Sequence, residues 1–476
     1  MKRIVVVGGG YAGTALAIYL SRLATASLDI VLVEPRAQVG GGLAYSAVDP
    51  DHRVNAPDLI HLLYPDDDLH FRRWLEVTGR LAADPDAWSA DGRLYPRRGD
   101  FGDYLAAQFA AHQQENGSGS TLTHRRTSAR GIDRREEFFR VGLGDGDALE
   151  AECCVVALGQ ELSPARLPGA SAGALGERLV DEPFAPGAFD VLSREAPVLI
   201  LGTGLTSADA TASLIRHGHR GPITCLSRRG LRPQQQSPPG VGRPLWERMS
   251  LQRPPFVDAH GLPGSLLALL RIVRQDARER VERGEPWHGA IDDVRDAAGE
   301  IWGALGVGGQ RRFLRHLKPF YDSHRFRIPP QTQAILAGAE RRGQLTFETG
   351  RLVCAAPGPD GVEVVLRPRG ETRTRFRTCG AIVNCAGFTS GIEQWRNPFV
   401  RACLEKGLAR PSSAGRGFEV DDGCRVVSAS GEAHSDLYAI GGTTLDRFGE
   451  TPAAIFTLRQ VLRMLPGLVS SLAQSR

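Results

Sequence analysis

Cysteine is scarce in this sequence, and its spacing matches neither a metal site nor a disulfide framework. Eight cysteines are spread over 476 residues without a C-x-x-C pair, which argues against a zinc ribbon and a dithiol redox motif. No apolar run is long enough to span a bilayer. The net charge of +4 is small against 58 basic and 54 acidic side chains, so no nucleic-acid-binding face is indicated. We expect a soluble, cytoplasmic protein that holds no metal and binds neither nucleic acid nor membrane.

Two of the cysteines, Cys153 and Cys154, are adjacent. Because they lie in the apolar run 151–159, which is typical of a buried strand, we interpret them as core residues rather than a vicinal redox pair. Glycine, by contrast, is abundant at 56 residues. A chain of this length predicts two or three packed units, and the glycines fit many turns between strands and helices.

The N-terminus has the pattern of a dinucleotide-binding unit. A β-branched run, 3–7, leads into Gly8, Gly10 and Gly13 and then into an apolar helix. The three glycines permit a tight turn, close approach of a pyrophosphate and close helix–strand packing. Glu34 ends the next apolar run, where an acid binds ribose hydroxyls. An acid there favours an unphosphorylated ribose, hence FAD or NAD.

A second unit repeats the pattern after residue 196. Its turn carries Gly202 and Gly204, with Ser207 in the place of the third glycine, and its next strand ends in Ser227, Arg228 and Arg229. Serine and arginine at that point suit a 2′-phosphate, so NADPH is favoured and NADH stays possible. The alternative is a solvated basic turn.

Two copies of one nucleotide motif are typical of paired flavin and nicotinamide domains. The apolar strands 154–159 and 381–387 end alike and bracket the second motif, so we interpret them as the two crossings between domains. We predict an α/β protein of two Rossmann-like dinucleotide-binding domains, with the nicotinamide domain inserted into the FAD domain. The predicted bounds are 1–159 and 388–476 for the FAD domain and 160–387 for the NAD(P)H domain, with a helical cap over about 234–317.

A third glycine turn occurs near the C-terminus, at Gly441 and Gly442, after an apolar run. Thr451 and Pro452 then suit the N-cap and first position of a helix. Such a helix N-terminus could stabilise negative charge at the pyrimidine end of reduced flavin. The alternative is a plain capped helix.

Beyond these motifs, the sequence resembles a family along nearly its whole length. It is similar to the bacterial FAD/NAD(P)-binding proteins that include a flavin-dependent urate hydroxylase and an aspartate N-monooxygenase of nitrosating pathways. The resemblance rests on the segments 40–46 (GGGLAYS), 53–57 (RVNAP), 95–105 (YPRRGDFGDYL), 227–233 (SRRGLRP), 287–292 (WHGAID), 315–325 (RHLKPFYDSHR) and 382–387 (IVNCAG).

The resemblance implies roles for individual residues and raises one doubt. It places Asn55 beside the flavin ring, where an amide could hydrogen-bond an oxygenated flavin; the alternative is a turn residue before Pro57. Flavoproteins of this type often carry Gly-Asp where this chain has Gly441 and Gly442. Backbone N–H groups or Asp446 would then have to serve the ribityl chain.

The densest ionisable stretch runs from 312 to 327. Within it, Arg325 and Arg327 are candidates for binding an anionic substrate, although a solvated helix face is the commoner explanation. Residues of this stretch do not supply four metal ligands at sensible spacing. No nucleophile elbow is present, so any oxidising chemistry would belong to the flavin.

We therefore predict a single-component FAD- and NAD(P)H-dependent monooxygenase. It would hydroxylate a small polar, nitrogen-containing metabolite of purine or amino-acid type through a C4a-(hydro)peroxyflavin, with molecular oxygen as co-substrate. One alternative is a reductase that passes electrons to a quinone or a protein. Another is a flavin-binding redox sensor without turnover. The three share one fold, which does not decide among them.

Overall fold

The computed structural model describes residues 1–240, 253–449 and 453–474. Strands and helices alternate along much of the chain. The strands are β1 (Lys2–Val7), β2 (Leu28–Val33), β3 (Thr121–Arg125), β4 (Ala129–Arg134), β5 (Phe139–Leu143), β6 (Ala148–Ala151), β7 (Cys153–Val156), β8 (Leu179–Val180), β9 (Val198–Leu201), β10 (Ile223–Ser227), β11 (Leu345–Gly358), β12 (Gly361–Pro368), β13 (Arg375–Cys379), β14 (Ala381–Asn384), β15 (Arg425–Val427) and β16 (Ala433–Ala439).

The helices connect these strands or extend from them. They are α1 (Tyr11–Leu23), α2 (His70–Val77), α3 (Arg98–Gln114), α4 (Ala172–Leu175), α5 (Leu205–Arg216), α6 (Pro255–His260), α7 (Leu266–Glu282), α8 (His288–Asp296), α9 (Ala298–Ala304), α10 (Gly306–Arg312), α11 (Lys318–Arg325), α12 (Pro330–Arg341), α13 (Pro398–Glu405), α14 (Leu445–Phe448) and α15 (Ala454–Gln474). A π-helical turn, Phe313–Leu317, joins α10 to α11.

The first sheet has the strand order β15-β16-β7-β1-β2-β3. All neighbours are parallel except β15 and β16. The central strands β1 and β7 are apolar along most of their length because both faces of the sheet are covered. Helices α1, α3 and α15 share one core with this sheet. The sheet therefore contains strands from both the N-terminal and the C-terminal part of the chain.

The second sheet has the order β13-β12-β11-β10-β9-β14-β8. Strands β8, β14, β9, β10 and β11 are parallel, while β11, β12 and β13 form an antiparallel extension. The crossing strand β14 pairs with β9 of this sheet, whereas the crossing strand β7 belongs to the first sheet. All strands of the second sheet thus fall between Leu179 and Asn384, inside the first sheet's sequence. The exact bounds of the two domains stay a prediction.

A separate helical segment, α6 to α11, precedes the last strands of the second sheet. It has a small core of its own, formed by Phe256, Val257, Leu269, Val294, Ala297 and Ile301. It also packs on the return segment of the first domain, since Arg416 places its guanidinium 4.3 Å from the Trp302 ring. The helical segment therefore contacts both domains, since Arg229, which follows β10, also donates a hydrogen bond to the carbonyl oxygen of Arg315. Within the described ranges, no helix combines the length and apolar character needed to cross a bilayer.

Candidate functional site

The first glycine turn joins β1 to α1 at the centre of the first sheet. Gly8 has φ +108°, and a Cβ there would lie 2.7 Å from the carbonyl oxygen of Ala157, which follows β7. A Cβ at Gly13 would lie only 2.0 Å from the Gly8 carbonyl oxygen. Helix α1 has no side-chain cap at Gly10, so its first N–H groups are open to an anion. These residues fit a bound pyrophosphate.

The acid of the first motif lies beside this turn. Glu34 is 4% exposed. Its Oε2 accepts a hydrogen bond from the Gly9 N–H at 3.0 Å, and its Oε1 accepts one from the Arg36 N–H at 3.0 Å. The carboxylate is thereby held at the end of β2, where a ribose attached to the pyrophosphate would reach it.

The C-terminal glycine turn meets the same site. A Cβ at Gly441 would contact the Ala12 side chain at 3.4 Å, and one at Gly442 would lie 2.7 Å from the Gln160 backbone nitrogen. The Gly441 N–H already donates to Gln460 Oε1 at 2.9 Å. Asp446 lies apart in an ion pair with Arg416 at 2.6 Å. Thr451 and Pro452 lie outside the described residues.

The second glycine turn joins β9 to α5 and repeats the first. Gly202 has φ +134°, and a Cβ there would lie 2.2 Å from the carbonyl oxygen of Cys385, which follows β14. A Cβ at Gly204 would meet no atom within 4 Å. The turn borders a cavity of about 340 Å³ lined by Thr203, Gly204, Ser207, Ala208, Arg232, Pro233, Gln234, Gln235, Ile328, Gln333, Leu336, Ala337, Glu340 and Phe347. The open backbone and the cavity fit a second dinucleotide.

The predicted 2′-phosphate residues lie at the end of β10. Ser227 Oγ accepts hydrogen bonds from Thr203 Oγ1 and from the Gly230 N–H. Arg228 is exposed, and Arg229 donates to the carbonyl oxygen of Arg315 at 3.3 Å. These two arginines do not line the cavity, so their contact with a cofactor stays a prediction.

One arginine that sequence reasoning missed does line the cavity. Arg232 makes two hydrogen bonds to the Glu340 carboxylate, at 2.9 and 2.8 Å, and lies 3.7 Å from the centre of the Phe347 ring. A guanidinium held over an aromatic ring by a carboxylate is a suitable surface for a planar base. The clue in the sequence was the basic run continuing past Arg229; its partners lie over a hundred positions away.

Asn55 contacts a segment that borders the second cavity. Its backbone carbonyl accepts a hydrogen bond from Gln236 Nε2 at 3.0 Å, and Gln236 follows the cavity-lining Gln235. Its side-chain amide has no hydrogen-bond partner within residues 1–240, 253–449 and 453–474. Nearby, Arg53 is fixed by a buried ion pair with Asp84 at 2.9 Å. The amide is therefore available on a well-anchored segment, although its role stays a prediction.

The two predicted substrate arginines lie in different surroundings. Arg327 is 7% exposed, its Nη2 is 2.9 Å from Asp292 Oδ1, and it also reaches the carbonyl oxygen of His288. Arg325 places its guanidinium 5.0 Å from the Phe326 ring. Arg327 is thus paired with the buried carboxylate of Asp292. The substrate role of both arginines stays a prediction.

The described residues hold free thiols, most of them buried, and no cluster of metal-ligating side chains. All eight cysteines are free of disulfides, and seven of them are buried. Burial raises the pKa of the Cys153 and Cys154 thiols, which keeps them protonated. Among the described residues, no three His, Cys, Asp or Glu side chains are grouped as metal ligands would be.

The first glycine turn and its surroundings match a known family. A family model described as FAD-NAD(P)-binding matches residues 5–161. We refer to residues 5–161 below as the FAD-NAD(P)-binding domain, after the family model that they match. The predicted cofactors, FAD and a nicotinamide dinucleotide, are confirmed, as is the resemblance to FAD/NAD(P)-binding proteins. A relative in Mycobacterium tuberculosis strain H37Rv, described as an uncharacterized protein, is 26% identical over 383 residues, which are 74% of this chain and 68% of that protein.

Solved structures extend the likeness beyond the FAD-NAD(P)-binding domain. The ornithine N-hydroxylase of Kutzneria sp. 744 is 16% identical with a TM-score of 0.63, covering 98% of this chain and 99% of that one. The L-lysine 6-monooxygenase of Pseudomonas syringae is 16% identical with a TM-score of 0.60, covering 99% and 100%. At these identities the likeness establishes the fold. The predicted fold class, two Rossmann-like dinucleotide-binding domains, is confirmed.

Proposed function

We propose that this protein is an FAD-dependent monooxygenase that uses NAD(P)H and molecular oxygen to hydroxylate a small, polar, nitrogen-containing metabolite. Two of the proteins that share its fold over nearly their whole length are named as an ornithine N-hydroxylase and an L-lysine 6-monooxygenase, and ornithine and lysine are amines. An amine-type substrate is therefore the first choice. Amino acids and purines complete the candidate class.

The observation that carries the proposal is the placement of Asn55. The segment that holds it extends from the FAD-NAD(P)-binding domain and is hydrogen-bonded to Gln236, which follows the lining of the second cavity. An enzyme of this kind reduces its flavin with a nicotinamide dinucleotide and then uses the reduced flavin to oxidise a substrate. The two dinucleotide sites must therefore meet at one place. We assign Asn55 to that place because its segment contacts Gln236. Its side-chain amide, which has no hydrogen-bond partner among the described residues, would orient a polar oxygen or nitrogen there.

The cofactors would supply the redox chemistry, and the chain would supply position and exclusion of water. Overall, NAD(P)H, a proton and O₂ are consumed with the substrate; one oxygen atom enters the substrate, and the other leaves as water. The nicotinamide supplies the two electrons that balance this reaction. The buried, protonated cysteines offer no dithiol that could accept those electrons instead.

The test is NAD(P)H oxidation by FAD-loaded protein in the presence of single compounds: ornithine, lysine, cadaverine, aspartate and purines. We expect one of them to accelerate NAD(P)H consumption and to gain one oxygen atom from ¹⁸O₂, detected by mass spectrometry. A matched control without substrate should release hydrogen peroxide. If all compounds leave peroxide yield unchanged while a quinone accelerates turnover, the protein is a reductase; if neither NADPH nor NADH bleaches the flavin, it is no oxidoreductase of this type.

A further inference from the structure

A buried charge pair crosses the boundary between the two dinucleotide-binding domains. Arg98 is the first residue of α3, in the FAD-NAD(P)-binding domain, and Asp209 lies on α5, in the second domain. Arg98 Nη2 is 2.9 Å from Asp209 Oδ2, and the two side chains are 13% and 1% exposed. Two oppositely charged side chains from different domains thus meet almost out of contact with water.

Both ends of this pair lead to a candidate site. Helix α5 begins at Leu205, directly after the second glycine turn. The ion pair at Asp209 therefore holds the helix whose N-terminus would face the nicotinamide dinucleotide. On the other side, Arg98 Nε donates to the carbonyl oxygen of Arg53 at 2.8 Å, two residues before Asn55. One guanidinium therefore touches both the nicotinamide side and the Asn55 segment.

The pair costs free energy to bury, which argues against a purely stabilising role. A desolvated ion pair rarely contributes more than apolar residues of the same volume, yet breaking it leaves an uncompensated charge. Neither carboxylate oxygen of Asp209 has a hydrogen-bond partner among the described residues, and Arg98 approaches Oδ2 at ion-pair distance. Burial raises the pKa of the Asp209 carboxyl, while Arg98 and then His52 oppose this shift and Asp49 adds to it. The carboxylate depends on its partners for its charge.

A second contact also joins the two domains, through a hydrogen bond rather than an ion pair. His52 Nε2 lies 2.8 Å from Ser213 Oγ, one turn further along α5, and the His52 ring packs edge-on to Phe184 at 5.4 Å. A third contact, between Arg216 and Asp51, is exposed on the same helix. Helix α5 is therefore fixed along its length by Asp51, His52 and Arg98. Of these three contacts, only the Arg98–Asp209 pair is both charged and buried.

We propose that Arg98 and Asp209 are positioning residues for hydride transfer, holding α5 so that the nicotinamide of the second site faces the flavin. This inference rests on the proposed function. The step they would serve moves one hydride, with its electron pair, from the nicotinamide to oxidised flavin. A proton from solvent completes the reduced flavin, and NAD(P)⁺ is the product. The reaction of reduced flavin with oxygen needs no contribution from α5.

The test separates the two half-reactions by stopped flow. In Asp209→Asn, which keeps the side-chain shape, and in Arg98→Gln, which removes the guanidinium charge, we expect the limiting rate constant of flavin reduction by NAD(P)H to fall at least tenfold. Reoxidation of dithionite-reduced protein by oxygen should stay within twofold of wild type, as should FAD content. The double variant should be no slower than either single variant, because removing one partner already disables the other. Arg98→Lys should restore part of the rate.

The matched control is Asp51→Asn, which removes the exposed ion pair from the same helix and should leave reduction within twofold. If Asp209→Asn and Arg98→Gln retain FAD and are reduced at the wild-type rate, the inference is overturned while the proposed function stands. If they lose FAD or slow both half-reactions equally, and Arg98→Lys does the same, the pair is structural. A wild-type protein that no nicotinamide reduces would overturn both proposals.

Discussion

The two glycine turns have the same backbone but different side chains. Gly8 N–H donates to the Val33 carbonyl oxygen at 3.0 Å, and Gly202 N–H donates to that of Leu226 at 2.8 Å. By this register, Ser227 occupies in the second domain the place of Glu34 in the first. The comparison shows that one backbone scaffold is used twice and that the ends of β2 and β10 differentiate the two sites.

The third position of each turn differs for a steric reason. At Gly13 a Cβ would collide with the Gly8 carbonyl oxygen, whereas Ser207 carries a Cβ in the second turn and donates from Oγ to the Gly204 carbonyl at 2.7 Å. Helix α1 is therefore closer to its strand than α5. The first turn requires glycine; the second does not.

The largest expected effect would test this steric difference. Gly13→Ser should lower FAD affinity by at least a hundredfold, because relieving a 2.0 Å contact with backbone costs on the order of 3 kcal/mol. The measurement is FAD titration of the apoprotein by flavin fluorescence. The reciprocal variant, Ser207→Gly, should keep its nicotinamide affinity within about threefold. An equal loss of cofactor affinity in the two variants would show that the two turns are sterically alike.

The next effect concerns Asn55, which belongs to neither turn. Asn55→Ala should bind FAD and be reduced normally, yet divert its turnover to hydrogen peroxide. Losing one oriented donor costs about 3 kcal/mol, roughly a hundredfold in the rate of oxygen transfer. The measurement compares NAD(P)H consumed with peroxide formed in the presence of an active substrate. Coupling equal to wild type would make Asn55 a turn residue.

Acid should affect the FAD-NAD(P)-binding domain through His61, which packs on Phe101 and Tyr45. Burial lowers the pKa of His61 from 6.5 to about 4. The unfolded state therefore binds the extra proton first, and stability conferred by neutral His61 is complete above pH 6.5 and lost as pH falls towards 4. The loss is on the order of 3 kcal/mol. Denaturant titrations at pH 7 and pH 4.5 measure it; His61→Gln should show a smaller difference.

The smallest expected effect concerns the end of β10. Replacing both Arg228 and Arg229 by alanine should lower the preference for NADPH over NADH about tenfold, the value of one charge-assisted hydrogen bond. The measurement is kcat/KM for each cofactor. Arg232→Ala, by contrast, should weaken both cofactors alike, because its guanidinium is already neutralised by Glu340. A wild-type preference for NADH would reduce Arg228 and Arg229 to a basic turn.

Local spacing predicted the parts of the site that lie within one strand–turn–helix unit. Gly8, Gly10 and Gly13 could be recognised because each acts on backbone a few positions away. The same holds for Ser207, whose small size was enough to mark the second turn. The alternation of strand and helix likewise predicted two Rossmann-like units with mainly parallel sheets, since buried parallel strands are apolar along most of their length.

Contacts across the two domains could not be predicted in this way. Arg98 and Asp209 are ordinary charged residues in the sequence, and only the packing of α5 against the start of α3 brings them together. The pairing of Arg232 with Glu340 has the same origin. Arg327 is a further case: the sequence marked its charge as a candidate for binding a ligand, but only the fold shows its buried partner, Asp292. Its substrate role stays a prediction.

The strand order of the first sheet has a consequence for synthesis of the chain. Strand β7 is paired on one side with β1 and on the other with β16, and the entire second sheet is translated between β7 and β16. The second domain can thus complete its sheet on the ribosome while β7 still has an open edge. Closing that edge joins residues distant in sequence, which makes it a slow step. The flavin site would be the last part of this chain to mature, although its first glycine turn precedes the whole second sheet in the sequence.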